Sequence, residues 1–435
     1  MSKILIKNAK LISMSENKEK IIEGIDILIE NNLIKKIDRK IQENAEKTID
    51  ATGKIVMPGL INTHAHISMS IFRETVDGYK TQDWLEKKIW PMEAKLTEED
   101  AYYAAMLSFI EMIQNGTTTI NDMYYLQNAT LKSALDTGVR VQLTRTIMDS
   151  DGDGEKRINE LKELKEFIED NKNKYENITL NIGIHGLYTC SEKYIKEGIE
   201  IAKKYNLPID MHFVENSQEY KDIQRMYNVK SPVDVLEKYF KDIHLILAHC
   251  VKLSVDEIER LAKLNAYVSH CPISNLRLGC GIANISKMQE NNICISLGTD
   301  GQGSGSNLDL FEAMKFSALM QKGIYEDPIK MSSYDILKMA TINGARALGL
   351  ERKIGTIEQG KLADIIIVNL EAPVTRPIND VFSQIVYNVK GTNVETTIVN
   401  GKILMENRKL TINVNEIEII KKCEEIIKRI KNNLK

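Results

Sequence analysis

Eight short apolar runs follow one another along the chain, and most of them end on a polar residue able to bind a metal or move a proton. Segments with helical periodicity separate the runs, which predicts strands alternating with helices. Eight such units form a (β/α)8 barrel, whose active-site side chains gather at the C-terminal ends of the strands. The predicted strands are 60–66, 117–122, 139–145, 179–185, 208–215, 244–249, 266–270 and 294–300.

The chain is longer than one barrel requires. It has 435 residues, whereas a barrel takes about 250, so a second domain is expected. Short β-type runs flank the barrel on both sides, and Asn400-Gly401 is typical of a hairpin turn between two of them. We predict an α/β protein with three parts: a small β-sandwich domain from 1–57 and 355–414, the barrel from 58–354, and an amphipathic helix from 415–435.

Two helices can be delimited from the sequence. Thr97 and Asp100 have the spacing of a capping box, and Gly116 fits the end of the helix that they begin. Near the C-terminus, apolar residues recur close to helical spacing among lysines and glutamates. The residues of this stripe are Ile417, Ile420, Cys423, Ile427 and Ile430.

The composition excludes several kinds of partner. A net charge of -3 with 43% hydrophobic and 27% charged residues is typical of a globular protein. It gives no excess of positive charge of the kind that binds nucleic acids. No apolar run approaches the roughly 20 residues of a membrane span. The six cysteines include no C-x-x-C pair, which argues against a thiolate zinc site and a disulfide framework. We expect a cytoplasmic protein with neither nucleic-acid nor membrane partners.

His64-Ala65-His66 is the sharpest local motif. Side chains two apart on a strand share a face, so both imidazoles can bind one cation at the mouth of the barrel. His212 and Asp300, at the ends of the fifth and eighth predicted strands, can complete the ligand set. A catalytic site of this kind keeps one position open for water. Histidine and carboxylate ligands suit one divalent metal, Zn²⁺ by preference, and Fe²⁺ fits them too.

A divalent metal that lowers the pKa of water supplies a nucleophile for a trigonal carbon. Hydrolysis at such a carbon by that route also needs a group that moves protons. Glu215 lies three residues beyond His212 and could do so, although a surface carboxylate is the plainer alternative. His249 would orient the water, and Asp300 can bind the metal and accept a proton in turn.

These strand-end residues carry a resemblance to a known superfamily. The H-x-H motif after Pro58-Gly59-Leu60-Ile61-Asn62, the histidines of strands five and six, and Gly298-Thr299-Asp300 resemble the amidohydrolase superfamily. The resemblance implies a barrel with a small β-sandwich. Members with two metals bridge them with a carboxylated lysine on strand four, and 179–185 contains no lysine. We therefore expect one metal.

Longer strings resemble the 5-methylthioadenosine/S-adenosylhomocysteine deaminase family over nearly the whole chain. They include Trp90-Pro91-Met92-Glu93, Leu143-Thr144-Arg145 with Arg157 downstream, His185 before Tyr188-Thr189-Cys190-Ser191, and Ser269 to Leu276. The resemblance implies that Glu93 binds the ribose hydroxyls and His185 contacts the adenine. It also implies that Arg145 and Arg157 bind the carboxylate of S-adenosylhomocysteine. Without it, Arg157 is better explained as a solvent-facing charge.

The predicted activity is hydrolysis of the adenine 6-amino group of 5′-modified adenosines, which gives the inosine analogue and ammonia. S-adenosylhomocysteine, 5-methylthioadenosine, 5-deoxyadenosine and adenosine all remain candidate substrates. The alternatives are a deaminase of guanine, another purine or a pterin, a triazine hydrolase, and a non-catalytic assembly protein. The H-x-E and P-C-x-x-C signature of thiolate-zinc base deaminases is absent. We expect a homo-oligomer, either a dimer or a tetramer.

Overall fold

The eight predicted barrel strands pair in chain order into one parallel sheet. A computed structural model describes residues 2–16, 20–150, 152–171 and 174–434. The sheet closes where the backbone amides of Thr299 and Asp300 donate to the His64 carbonyl at 3.1 and 3.0 Å. The predicted barrel is thus confirmed, with strands Leu60–Ala65, Thr117–Tyr124, Arg140–Ile147, Ile178–Gly186, Ile209–Phe213, Leu245–His249, Ala266–His270 and Cys294–Leu297.

Barrel strands are buried on both faces because helices cover the outside and side chains fill the inside. Below the mouth, small hydroxyl side chains occupy much of the interior. The Thr63 hydroxyl lies 2.6 Å from that of Ser269 and 2.8 Å from that of Ser296. Hydroxyl groups satisfy one another here, so the interior stays packed beneath the polar residues of the strand ends.

The helices lie between and around the strands. Helix Glu98–Gln114 begins with the predicted capping box, in which Thr97 and Asp100 bond each other's backbone amides, and Gly116 follows with a φ of 78°. The α-helices are Thr81–Trp84, Trp90–Glu93, Glu98–Gln114, Gln127–Thr137, Gly154–Asp170, Glu192–Tyr205, Ser217–Tyr227, Pro232–Tyr239, Val255–Leu261, Pro272–Arg277, Ile285–Glu290, Gln302–Gly305, Leu310–Tyr325, Ser333–Met339, Ile342–Ala347, Val381–Tyr387 and Glu416–Asn432. The 3-10 helices are Ile67–Phe72, Pro373–Thr375 and Gly391–Asn393, and Leu85–Ile89 is a π-helix.

Both ends of the chain build a second, mixed sheet. Strand Ile365–Val368 pairs antiparallel with Ile55–Pro58, which joins the two halves. Asn400 and Gly401 have positive φ values of 50° and 74°, as their hairpin turn requires. From edge to edge the strands are Lys409–Leu410, Lys402–Glu406, Val394–Val399, Ile365–Val368, Ile55–Pro58, Lys3–Leu11, Ile22–Glu30 and Leu33–Asp38, with Lys47–Asp50 paired to Lys3–Leu11.

The C-terminal helix packs on helix Glu98–Gln114, and the Cys423 thiol donates to the Tyr103 carbonyl there. The predicted apolar stripe is wrong in part, since Ile417 is 66% exposed and Ile420 39% exposed. The buried set is instead Ile419, Cys423, Ile426 and Ile430. Isoleucine occupies both faces of this helix, so spacing alone could not select the buried one. Among the described residues, no helix combines the length and apolarity needed to cross a membrane.

Candidate active site

A cavity of about 1010 Å³ opens at the C-terminal ends of the barrel strands. The loops that follow the strands and the segment from Thr81 to Glu98 form its walls. Most of the predicted site residues line this one cavity: His66, Glu93, Arg145, Arg157, His185, His212, Glu215, His249 and Asp300. His64 lies fully buried beneath it.

Three histidines converge at the cavity floor. The ring centroids of His64 and His66 are 4.9 Å apart, as are those of His64 and His212. One nitrogen from each of the three rings lies within 4.8 Å of the others. The Nε2 atom of His66 is 3.2 Å from Nε2 of His212 and 3.2 Å from Oδ1 of Asp300. The structure therefore brings together all four predicted metal ligands.

Backbone carbonyls fix the orientation of two of these rings. The Nδ1 atom of His66 lies 2.5 Å from the Met123 carbonyl, and Nδ1 of His212 lies 2.6 Å from the His185 carbonyl. A carbonyl accepts a hydrogen bond, so each Nδ1 carries a proton, and in the neutral ring Nε2 has the lone pair that a metal would bind. Histidine ligands to metals are typically oriented in this way by a bond from the other ring nitrogen.

The hydrogen-bonding pattern of the floor fits a cation. His64 is fully buried, yet neither of its ring nitrogens has a hydrogen-bond partner among the described residues. The Nε2 atoms of His66 and His212 face each other at 3.2 Å. Buried polar groups without partners are rare in native proteins. A divalent metal would satisfy all three nitrogens and the adjacent Asp300 carboxylate, and these donor types suit it.

Asp300 is held in place from several sides. The Ser274 and Ser304 hydroxyls donate to its Oδ2 at 2.5 and 3.0 Å, and the Gly301 amide donates to Oδ1 at 2.7 Å. Burial opposes ionisation, but the bond to His66 and the nearby imidazoles hold the pKa of Asp300 well below its usual range. Asp300 is therefore an anion aimed at the histidine cluster.

Glu215 and His249 lie beside Asp300, and one ligand atom from each of the three lies within 4.8 Å of the others. Burial raises the pKa of Glu215, with the charge of Asp300 acting in the same direction. The Nδ1 atom of His249 lies 2.8 Å from Oδ1 of Asn275, which leaves its Nε2 for other partners. A carboxyl group with a raised pKa at a cavity wall is suited both to give and to take a proton.

The Trp90–Glu93 helix brings Glu93 to the opposite wall. The Tyr124 hydroxyl donates to its Oε1 at 2.8 Å, and the Tyr125 hydroxyl donates to its backbone carbonyl at 3.1 Å. Burial raises the pKa of Glu93 to about 7. His185 lies between this wall and the floor, where burial lowers its pKa to about 3 and keeps its ring neutral. A carboxylate and a neutral imidazole thus face the middle of the cavity.

Arg145 and Arg157 lie further toward the cavity entrance, and both are largely buried. Arg145 forms an ion pair with Glu160, which also lines the cavity. The Arg157 guanidinium stands 5.8 Å from the ring centre of Tyr125. Burial and the neighbouring charge of Arg157 lower the pKa of Arg145 to about 10. The structure therefore brings the two predicted arginines to one cavity and pairs Arg145 with an anion of the protein's own.

The sequence profile of the amidohydrolase family matches residues 55–404, most of the chain. The chain belongs to the amidohydrolase family. Members of this family depend on divalent metals, and the histidine cluster provides a place for one. The lysine that would bridge a second metal is missing from strand Ile178–Gly186 of this family member.

Relatives within the family are similar over their whole length. A 5-methylthioadenosine/S-adenosylhomocysteine deaminase of Caldanaerobacter subterraneus is 38% identical over 438 residues, covering 98% of this chain and 99% of that protein. A 5′-deoxyadenosine deaminase of Methanococcus aeolicus is 41% identical over 418 residues, covering 94% and 96%. The crystal structure of a zinc-bound adenosine deaminase from Xanthomonas campestris superposes with a TM-score of 0.92 at 27% identity, covering 99% of each chain.

The amidohydrolase site contains residues that the sequence did not single out. Tyr124, the last residue of strand Thr117–Tyr124, donates to Glu93. Asn275 lies within the Ser269 to Leu276 string, which gave it no role of its own, and it bonds His249. Cys280 is buried, and its thiol donates to Glu215 Oε1 at 3.6 Å. His244 lies just before strand Leu245–His249, and its Nε2 donates to the Ala347 carbonyl, 2.7 Å away.

Proposed function

We propose that this chain is a deaminase that hydrolyses the 6-amino group of 5′-modified adenosines to give the inosine analogue and ammonia. The relatives named as deaminases of such nucleosides support this activity. One observation carries the assignment. A single cavity is lined by metal-compatible ligands, by Glu215, and by Glu93 and two arginines.

We propose that His64, His66, His212 and Asp300 hold one metal, Zn²⁺ by preference. When bound, the metal lowers the pKa of a water molecule and so supplies a nucleophile at neutral pH. Asp300, an anion fixed by two serine hydroxyls, can accept a proton from that water. The Asn275 amide keeps His249 turned toward the same position, where its ring would orient the water.

Glu215 is the proposed proton carrier. Hydrolysis forms a C–O bond at C6 and breaks the C–N bond to the amino group, so one proton must reach the adenine ring nitrogen and another the departing ammonia. The raised pKa of Glu215 suits a group that is protonated and deprotonated within one turnover. The position of Glu215 at the cavity wall, next to His249 and Asp300, supports this role.

The remaining residues bind the nucleoside in this proposal. The Glu93 carboxylate can accept hydrogen bonds from the two ribose hydroxyls, and the neutral ring of His185 can bond the adenine. The paired guanidinium groups of Arg145 and Arg157 suit a carboxylate at the far end of a 5′ substituent. The cavity is large enough for such a substituent, since it exceeds the several hundred Å³ of an ordinary small-ligand site.

Guanine and triazines are the competing substrates. Solved structures of triazine hydrolase and of guanine deaminase share the fold at 20 to 23% identity, which shows a common scaffold only. Neither substrate carries a ribose diol or a carboxylate tail. Glu93 and the arginine pair would have no partner on them, so we favour the nucleosides.

A panel of substrates tests the proposed function. S-adenosylhomocysteine, 5-methylthioadenosine, 5′-deoxyadenosine and adenosine would be compared with guanine and a triazine by the fall in absorbance and by ammonia release. We expect turnover of one or more of the adenosines and none of the other two. Turnover of guanine or the triazine alone would overturn the proposal. Cytoplasmic location and a dimeric or tetrameric state stay predictions.

Arg145→Ala is expected to discriminate between substrates. Its guanidinium would meet the carboxylate of S-adenosylhomocysteine, whereas 5-methylthioadenosine has no such group. A charge-assisted hydrogen bond lost from a largely buried site corresponds to a fall of about 10- to 100-fold in kcat/KM for the first substrate. The second substrate should change by less than about 3-fold. Equal losses on both substrates would reject the assignment of Arg145.

Glu160→Gln is expected to act in the opposite direction. Glu160 pairs with Arg145, and its side chain is 37% exposed, so the pair is only weakly stabilising. Removing the charge frees Arg145 for the substrate carboxylate. We expect kcat/KM to rise about 2- to 5-fold for S-adenosylhomocysteine and to stay constant for 5-methylthioadenosine. A fall for S-adenosylhomocysteine would show that Glu160 assists binding instead.

A further inference from the structure

Glu219 is a buried carboxylate directly behind Glu215. It lies in the first turn of helix Ser217–Tyr227 and is 3% exposed. Its Oε1 accepts a hydrogen bond from the Val214 amide and its Oε2 accepts one from the Glu215 amide, both at 2.8 Å. Both oxygens of one side chain are therefore used to hold two consecutive backbone amides.

The backbone that Glu219 holds has an unfavourable conformation. Val214 has a φ of +45°, which is a rare value for a β-branched residue. Such strain persists only where the surroundings impose it, and it is common at functional sites. Here the left-handed residue ends the run of strand Ile209–Phe213 and turns the chain, so that Glu215 lies at the cavity wall.

Other contacts fix the two sides of this turn. The Lys252 amide donates to the Val214 carbonyl at 3.0 Å, and the Cys250 amide donates to the Phe213 carbonyl at 3.0 Å. The Asn216 side chain caps the helix and accepts from the Glu219 amide at 3.0 Å, which anchors Glu219 itself. The carbonyl groups of the turn are thus held by amides of the residues that follow the next barrel strand. Its amide side depends on Glu219.

We propose that Glu219 is a positioning residue that acts through Glu215, by holding the left-handed turn that aims the Glu215 carboxyl group at the reacting atoms. Glu219 does not line the cavity, so it has no contact with the substrate in this proposal. The proposal rests on the proposed function, since it assigns Glu215 the role of proton carrier. If Glu219 had a purely structural role, a substitution of Glu219 would affect folding, and its effect on the rate would be the same whether or not Glu215 is present.

Glu219→Gln tests the proposal. A glutamine keeps one acceptor oxygen but presents an NH₂ group to the other backbone amide, so the paired acceptor is lost. We expect kcat to fall about 10- to 100-fold, the range for residues that orient a catalytic group, with KM within about 2-fold and metal content unchanged. Asp222→Asn is the matched control, because it removes one acid from the exposed face of the same helix. It should leave kcat unchanged.

A double variant separates positioning from structure. If Glu219 acts only through Glu215, Glu219→Gln should have no further effect on the residual rate of a Glu215→Gln enzyme. An equal fold-loss in both backgrounds would overturn the proposal, as would a kcat equal to that of Asp222→Asn. If Glu219→Gln does not fold, Glu219→Asp keeps the charge and shifts it by one methylene, and the same comparison is made with it. A wild-type enzyme inactive on every adenosine would instead reject the proposed function.

Discussion

Glu215→Gln is expected to lower kcat on 5-methylthioadenosine by about 10²- to 10⁴-fold, the range for a general acid–base group. Glutamine has nearly the same shape but cannot exchange a proton, so both proposed transfers lose their carrier. The four proposed metal ligands are untouched by this change. Metal content, measured by inductively coupled plasma mass spectrometry, should therefore match that of the wild type.

The control for this variant is Glu259→Gln, the same chemical change at an exposed position on helix Val255–Leu261. It should leave kcat, KM and metal content at wild-type values. If Glu215→Gln had full activity, Glu215 would have no part in proton transfer. A loss of activity accompanied by a loss of metal would mean that Glu215 supports the metal site instead.

Removal of the metal should abolish turnover. Dialysis against a chelator leaves the buried His64 nitrogens without hydrogen-bond partners, and leaves the Nε2 atoms of His66 and His212 facing each other without the cation. The metal-free protein should also melt at a lower temperature, because a ligand bound at 100 times its Kd stabilises the fold by about 2.7 kcal/mol. Scanning calorimetry and an activity assay before and after addition of Zn²⁺ measure both effects.

A pair of histidine variants makes the metal test specific. His212→Ala removes one proposed ligand, whereas His244→Ala alters a histidine at the other end of the barrel, next to the Ala347 carbonyl. We expect metal content to fall well below about one per chain in the first variant and to stay near that value in the second. Full activity in the metal-free enzyme, or equal metal loss in both variants, would contradict the proposed site.

Much of the fold could be predicted because barrel strands carry a strong local signal. Each is a short apolar run, and parallel strand ends meet at one face. Residues as distant in sequence as His66 and Asp300 could therefore be expected to lie together, and their side chains do, 3.2 Å apart. The hairpin at Asn400-Gly401 was predictable for a similar reason, since its positive φ values favour those residue types.

Contacts between different helices and strands could not be predicted, because no periodic pattern of residue types in the sequence indicates them. The carbonyls of Met123 and His185 orient two imidazoles, yet any residue type offers a carbonyl. The ion pair of Arg145 with Glu160 depends on how one helix lies across the cavity entrance. The same holds for the C-terminal helix, where packing on a neighbour selects Ile419 and excludes Ile417.

The shared sheet constrains how the protein is made. Strand Ile55–Pro58 leaves the ribosome early, but its antiparallel partner Ile365–Val368 follows roughly 300 residues later. At about 5 to 20 residues per second, the nascent chain waits roughly 15 to 60 s for that partner. During this interval the N-terminal strands expose an unpaired edge, which is where newly made chains aggregate or recruit chaperones. The barrel is fully synthesised before the sheet beside it can be completed.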